Sequence, residues 1–141
     1  MHRANLERAK AFLNQTNNTC ILCNGSVILT DKRRGVRPLI DLLESKTDVT
    51  GFSVADKVVG KAAAYLYCLL GVKSLYARTI SKPALSVLHD AQIYIEYDLL
   101  VPAIQNRTKD GFCPMERAVW NVQTPEEALP AIYTALEHLQ K

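Results

Sequence analysis

The sequence predicts an α/β fold: a three-layer α/β/α sandwich around a mixed sheet of about five strands, opened by an N-terminal β-hairpin. From residue 51 onward, apolar β-rich runs alternate with helical patterns, which implies parallel strands joined by right-handed crossovers. The runs "TCILC" and "SVILT" flank Asn24-Gly25, a strong hairpin signal that adds an antiparallel pair. A chain of 141 residues, 48% hydrophobic and 22% charged, has the size and composition of one globular domain.

The N-terminal half supplies two helices around the hairpin. Residues 3–15 carry apolar side chains at helical spacing and predict an amphipathic helix. After the hairpin, Pro38 suits the first turn of a helix, and "PLIDLLES" extends that helix to about Ser45.

A strand and a long helix follow at the centre of the chain. "GFSVA" is a short apolar strand, and Asp56 is a good N-cap for a helix that runs to Gly71, its predicted C-cap. We expect Tyr65 and Tyr67 on this helix to be packing groups with hydrated hydroxyls.

The C-terminal half repeats the alternation and then loosens. "VKSLYART" and "IYIEYD" are strands around the helix "KPALSVLHD", which Ser81 can cap. A final helix begins at Pro125, with Thr124 and Glu127 forming a capping box. We expect one domain over 1–141, with a core at about 3–98 and an extension at about 99–141 that packs over a cleft.

Composition excludes several classes of protein. The net charge of +3 is too small to indicate nucleic-acid binding, and no apolar run approaches the ~20 residues of a membrane span. The charged N-terminus has no signal-peptide core, so we expect a cytoplasmic protein with reduced thiols. Cys20 and Cys23 form a C-x-x-C within a strand, where side chains three apart point to opposite faces, which argues against a zinc or redox site.

One basic segment stands out in this nearly neutral chain. "DKRRGVR" contains Lys32, Arg33, Arg34 and Arg37. It is either a solvated loop or a patch that steers anions. Arg37, at a helix start, suits bidentate binding of phosphate or carboxylate, and it could equally be a surface arginine.

The stretch "ADKVVGK" is the principal candidate site. If the helix begins at Asp56, Lys57 and Lys61 share a helix face near its positive end, which costs free energy unless an anion binds there. Gly60 would then let the ligand approach the backbone. Alternatively, Lys57 pairs with Asp56 or Asp48, Lys61 is solvated, and Gly60 permits close helix packing, while Asp56 is only a cap.

The segment "NRTKDGFCPMER" is the second candidate. Cys113 precedes Pro114 at a predicted helix start, where a thiol can be nucleophilic, although free cysteines are also common core residues. Glu116 is either a general base or a carboxylate that complements the helix dipole. Asn106 and Arg107 either bind a polar substrate or close the loop.

These motifs together resemble a prokaryotic family of unknown function with a cytidine-deaminase-like fold. The resemblance spans roughly residues 20–127 and rests on "GVRPLIDLL", "VADKVVGKAAA", "GVKSLYA", "SKPALSVL", "YDLLVPAIQNR" and "GFCPME". It implies that the fold is cytidine-deaminase-like. Zinc deaminases carry a His or Cys with a following Glu at one helix start and P-C-x-x-C at the next. Here those places hold Arg37, Asp56, Lys57 and Lys61, so we expect no zinc centre, no other cofactor and no zinc-dependent deamination.

Two functions follow from these expectations. The first is binding of an anionic small molecule, such as a nucleotide or an ADP-ribose-like compound, where "GVRP", "ADKVVGK" and "GFCPME" converge. Asp56, Cys113 and Glu116 would be the reactive groups if a reaction occurs. The second is a non-catalytic regulatory or assembly module with a vestigial pocket. An open sheet of this kind also favours a homodimer.

Overall fold

The structure is a computed structural model and describes residues 2–105, 111 and 113–139. In chain order, its elements are α1 (His2–Gln15), β1 (Cys20–Asn24), β2 (Val27–Asp31), α2 (Arg37–Glu44), β3 (Ser53–Val59), α3 (Lys61–Leu70), β4 (Ser74–Ser81), α4 (Lys82–Asp90), β5 (Tyr94–Val101), α5 (Pro114–Ala118) and α6 (Pro125–Leu139).

The strands form one mixed sheet in the order β2-β1-β3-β4-β5. β1 pairs antiparallel with β2 and β3, whereas β3, β4 and β5 run parallel. Asn24 pairs with Val27 at the end of the hairpin, and Gly25 between them has a φ of 60°, which glycine adopts without strain. The predicted fold class, a mixed five-stranded α/β sheet with an N-terminal hairpin, is confirmed.

Helices cover both faces of this sheet. Helix α1 packs on one face, where Leu6, Ala9 and Leu13 meet Ile21 and Tyr76. Helices α2, α3 and α4 contribute to a larger core on the other face, and α6 packs against the outside of α3. Because successive strand side chains alternate between faces, Cys20 joins the larger core and Cys23 the smaller one, as the C-x-x-C spacing predicted.

The predicted start of the central helix is wrong. Strand β3 continues to Val59, which pairs with Ile80 of β4 and is fully buried, and Gly60 is the N-cap of α3. Asp56 and Lys57 therefore lie in a strand, and Lys57 shares no helix face with Lys61. The reason is tertiary: pairing with β4 stabilises extended backbone over the β-branched valines.

Other helix ends match the predictions. Gly71 ends α3 in the left-handed conformation with a φ of 75°. The Ser81 hydroxyl accepts a hydrogen bond from the Ala84 N–H at 3.2 Å, and the Thr124 hydroxyl accepts one from the Glu127 N–H at 3.2 Å. Within the described residues, no helix has the length and hydrophobicity needed to cross a bilayer.

Candidate functional site

A cavity of about 460 Å³ lies where β3 ends and α3 begins. The basic loop before α2 forms one side, and the segment around α5 forms another. The carboxyl ends of parallel strands are the usual position for ligand sites in open α/β sheets. The residues that line it include Cys20, Arg33, Arg34, Asp56, Lys57, Gly60, Cys113 and Glu116.

Asp56 begins a chain of three hydrogen-bonded side chains that leads from the cavity into the core. The Tyr67 hydroxyl donates to Asp56 Oδ2 at 2.6 Å, and it lies 3.2 Å from the Cys20 sulfur. The Val58 N–H donates to Asp56 Oδ1 at 3.2 Å. The Tyr67 side chain is fully buried, so its hydroxyl is not hydrated, contrary to the sequence-based expectation.

Burial governs the protonation of this chain. It raises the pKa of Asp56 to about 6, although hydrogen bonds from Tyr67 and from the N–H groups of Val58 and Lys57 oppose the rise. Burial also raises the pKa of Tyr67 and of Cys20 well above their usual values. Asp56 can therefore take up and release a proton near neutral pH, while the phenol and the thiol stay protonated.

Glu116 closes the start of α3. Its side chain is only 2% exposed, and it accepts hydrogen bonds from the N–H groups of Lys61 and Ala62. A carboxylate at this position complements the positive end of the helix dipole. Burial nevertheless raises the pKa of Glu116, against the effect of these two N–H groups and of the Lys61 charge. The anion at the helix start is thus a side chain of the protein itself.

Gly60 is required by the position of Glu116. Its φ of −95° is open to any residue, so backbone conformation does not demand glycine here. A β-carbon on Gly60 would lie 2.8 Å from Cδ of Glu116 and 3.2 Å from Cγ1 of Ile104, closer than packed atoms allow. Glycine therefore admits the Glu116 carboxylate, where the sequence suggested a ligand or a packed helix.

Some of the cations around the cavity form ion pairs and others do not. Arg33 forms a two-point ion pair with Asp31, at 2.7 and 3.0 Å, and another with Asp41 at 2.7 Å. Arg34 and Lys57 also line the cavity and have no ion pair within the part of the chain that the structure describes. The lining of the cavity therefore combines two cations without ion-pair partners among the described residues, Arg34 and Lys57, with two carboxyl groups, Asp56 and Glu116.

Two predicted ligand-binding residues lie elsewhere. Arg37 is the first residue of α2 and does not line the cavity, because the helix directs Val36 and Leu39 toward it instead. Lys61 does not line it either. Its ammonium group donates to the Trp120 carbonyl at 3.1 Å and lies 5.7 Å from the centre of the Tyr65 ring. Lys61 thus fastens the C-terminal segment to α3.

The second predicted cluster is only partly described. Cys113 is the N-cap of α5, is half-buried and lines the cavity, and its N–H donates to the Ile104 carbonyl at 3.0 Å. Asn106 and Arg107 lie outside the described residues. Over the described ranges, no three His, Cys, Asp or Glu side chains are grouped so that they could hold a metal ion.

Sequence reasoning missed Tyr67, Cys20 and Arg34 as parts of the site. Tyr67 reads as an ordinary core residue of an apolar helix face, and nothing in its spacing points to Asp56, eleven positions earlier. Arg34 carried a signal, the local run of basic residues, but that run favoured a solvated loop over an anion-steering patch.

Comparison with known proteins adds a family. The pattern of the TM1506 family, a domain of unknown function (DUF1893), matches residues 8–136. The crystal structure of a DUF1893 family protein (TM1506) from Thermotoga maritima has a TM-score of 0.87 and 26% identity, over 95% of this chain and 91% of that one.

A dCMP deaminase from the cyanophage S-TIM5 has a TM-score of 0.44 and 16% identity, over 67% of this chain and 94% of that one. A search of curated protein sequences found no significant match. The predicted resemblance to a family of unknown function is confirmed, since a match over residues 8–136 means that the chain belongs to the DUF1893 family.

Proposed function

We propose that this protein binds an anionic, nucleotide-like or otherwise phosphorylated small molecule in the cavity between β3, α3 and α5. The observation that carries the proposal is that two cations, Arg34 and Lys57, line the cavity without carboxylate partners among the described residues. Arginine and lysine are the side chains that recognise phosphate.

The size and lining of the cavity support a ligand of this class. Its volume of about 460 Å³ falls in the range of small-molecule sites. Apolar side chains complete the wall beside the charged ones, among them Val36, Leu39 and Met115. A ligand with a ring system can pack against these apolar side chains while its phosphate pairs with Arg34 and Lys57.

The same wall offers groups for chemistry. Asp56, with its pKa raised to about 6, suits proton transfer near neutral pH, and Cys113 lines the same cavity. Asp56 and Cys113 are therefore the first residues to replace once a ligand is known and turnover can be sought. Binding itself requires neither of them to react.

Binding is tested by thermal unfolding with AMP, GMP and ADP-ribose. Adenosine and guanosine, which lack the phosphate, are the comparison compounds. We expect phosphorylated compounds to raise the Tm and the Arg34→Glu and Lys57→Glu variants to lose that rise. Lys73→Glu is the matched control, because Lys73 is exposed and precedes β4 at the opposite end of the sheet. Stabilisation that survives charge reversal at Arg34 and Lys57 would refute the proposal.

An assembly function is the second candidate, and one observation favours it. Strand β5 is an edge of the sheet, and its Tyr97 and Leu99 are 42% and 54% exposed. An exposed apolar edge strand can pair with a second copy. Sedimentation velocity of the wild type and of Leu99→Lys tests this: a dimer that Leu99→Lys dissociates supports it, and a wild-type monomer excludes it.

A further inference from the structure

The Glu116 carboxylate has one oxygen without a partner. Oε2 is buried and makes no hydrogen bond to any of residues 2–105, 111 and 113–139, whereas the carboxylate does accept the N–H groups of Lys61 and Ala62. A buried carboxylate oxygen without a donor is unfavourable, and native structures rarely leave one so. Glu116 is among the residues that line the cavity, although Oε2 itself has almost no surface open to it, so a small movement of the side chain on ligand binding lets a bound molecule supply the donor.

The position of Glu116 also decides how an anionic ligand lies in the cavity. The N-terminus of α3 would attract a phosphate if it were free. The Glu116 carboxylate already occupies it, and a second anion there would meet a like charge. The phosphate is therefore expected beside the unpaired cations Arg34 and Lys57, and another part of the ligand is left to reach Glu116.

We infer that the cavity selects a ligand whose uncharged end carries a hydrogen-bond-donating nitrogen, such as the exocyclic amino group of a nucleobase. That nitrogen donates to Glu116 Oε2, while the phosphate binds at Arg34 and Lys57. This rests on the proposed function and adds to it a ligand class, an aminated nucleotide, and a residue that recognises the amine. Glu116 is a specificity residue in this arrangement and needs no chemical step.

Matched nucleotides test the inference without any mutation. AMP and purine riboside 5′-monophosphate differ only by one exocyclic amino group, as do GMP and IMP. A hydrogen bond to a charged acceptor predicts about 10- to 100-fold tighter binding of the aminated member of at least one pair, measured by titration calorimetry. Equal affinities within both pairs overturn the inference.

The Glu116→Gln variant assigns the preference to its residue. Glutamine keeps the shape of the side chain and can still accept the N–H groups of α3, but it places an NH₂ group where Oε2 lies. We expect it to abolish the preference for the amine while retaining binding that depends on phosphate. Glu137→Gln, at an exposed position on α6, is the matched control and should keep the preference.

The outcomes separate this inference from the proposed function. Nucleotides that bind through Arg34 and Lys57 with no preference for the amine, or with one that Glu116→Gln retains, overturn only the inference. If no phosphorylated nucleotide binds, the proposed function fails and the inference fails with it. Should Glu116→Gln not fold, by its circular dichroism spectrum, the wild-type comparison of the two pairs still decides.

Discussion

At the start of α3, the Glu116 carboxylate fills the space that a β-carbon on residue 60 would need, and Gly60 leaves that space free. Two segments far apart in the sequence are thus matched sterically. The same carboxylate accepts hydrogen bonds from the N–H groups of Lys61 and Ala62. Because these N–H groups are already bonded to Glu116, they are not free to bind an anionic ligand.

The Gly60→Ala variant should be destabilised by about 1–3 kcal/mol, because the added methyl group forces Glu116 off the helix start. Urea unfolding measures this free energy. In a Glu116→Ala background the same substitution should cost clearly less, since the obstructing carboxylate is gone. Equal costs in the two backgrounds would show that Glu116 is not the obstruction.

Removing the Tyr67 hydroxyl should destabilise the protein more at pH 7.5 than at pH 4.5. The hydroxyl donates to Asp56, and this bond favours the ionised carboxylate, so Tyr67→Phe should raise the pKa of Asp56 above about 6. We expect a loss of about 1.5–3 kcal/mol where Asp56 is ionised. Tyr65→Phe is the control: its hydroxyl donates to the Val122 carbonyl at 2.8 Å, so its loss should vary little with pH.

Asp56 should make the protein less stable as the pH rises through the acidic range. Its pKa is about 6 in the folded chain against 3.8 for the ordinary group, so the folded state holds the proton more tightly. The stabilisation by protonated Asp56 is complete below about pH 4 and is lost as the pH approaches 6. Unfolding free energies of the wild type and of Asp56→Asn, measured from pH 3.5 to 7.5, give this contribution as their difference.

Between pH 4 and 6, the unfolding free energy of the wild type should fall by roughly 1–3 kcal/mol relative to that of Asp56→Asn. The asparagine leaves one donor without an acceptor, which adds an offset that does not depend on pH. A difference that stays flat across this window would mean that Asp56 titrates at its ordinary pKa.

Replacing Lys61 by methionine should loosen the C-terminal segment and leave ligand binding unchanged. The Lys61 ammonium group bonds to the Trp120 carbonyl and lies outside the cavity wall, so Lys61→Met removes one tether. Limited proteolysis should cut faster after residue 100, with about 0.5–1.5 kcal/mol of lost stability. Nucleotide affinity that falls as far as in Lys57→Glu would instead place Lys61 in the site.

The order of helices and strands could be read from the sequence because it depends on local signals. The hairpin turn at Asn24-Gly25, the left-handed cap at Gly71 and the Ser81 cap each act within a few residues. The end of β3 could not be read in this way. Asp56 is a good local cap, and only pairing with β4, more than 20 residues later, extends the strand to Val59.

The sequence by itself determined the α/β class, the family, and the segments that meet at the cavity. Periodicity, turn chemistry and motif order depend on residues that are close together in the sequence. Only the tertiary structure decided which charges face that cavity. Arg34 lines the cavity where Arg37 was expected, and Lys61 binds the Trp120 carbonyl outside it. Asp56 accepts a hydrogen bond from Tyr67, and Glu116 packs against Gly60. These relationships depend on where strands end and helices cross, and both are settled by packing between distant segments.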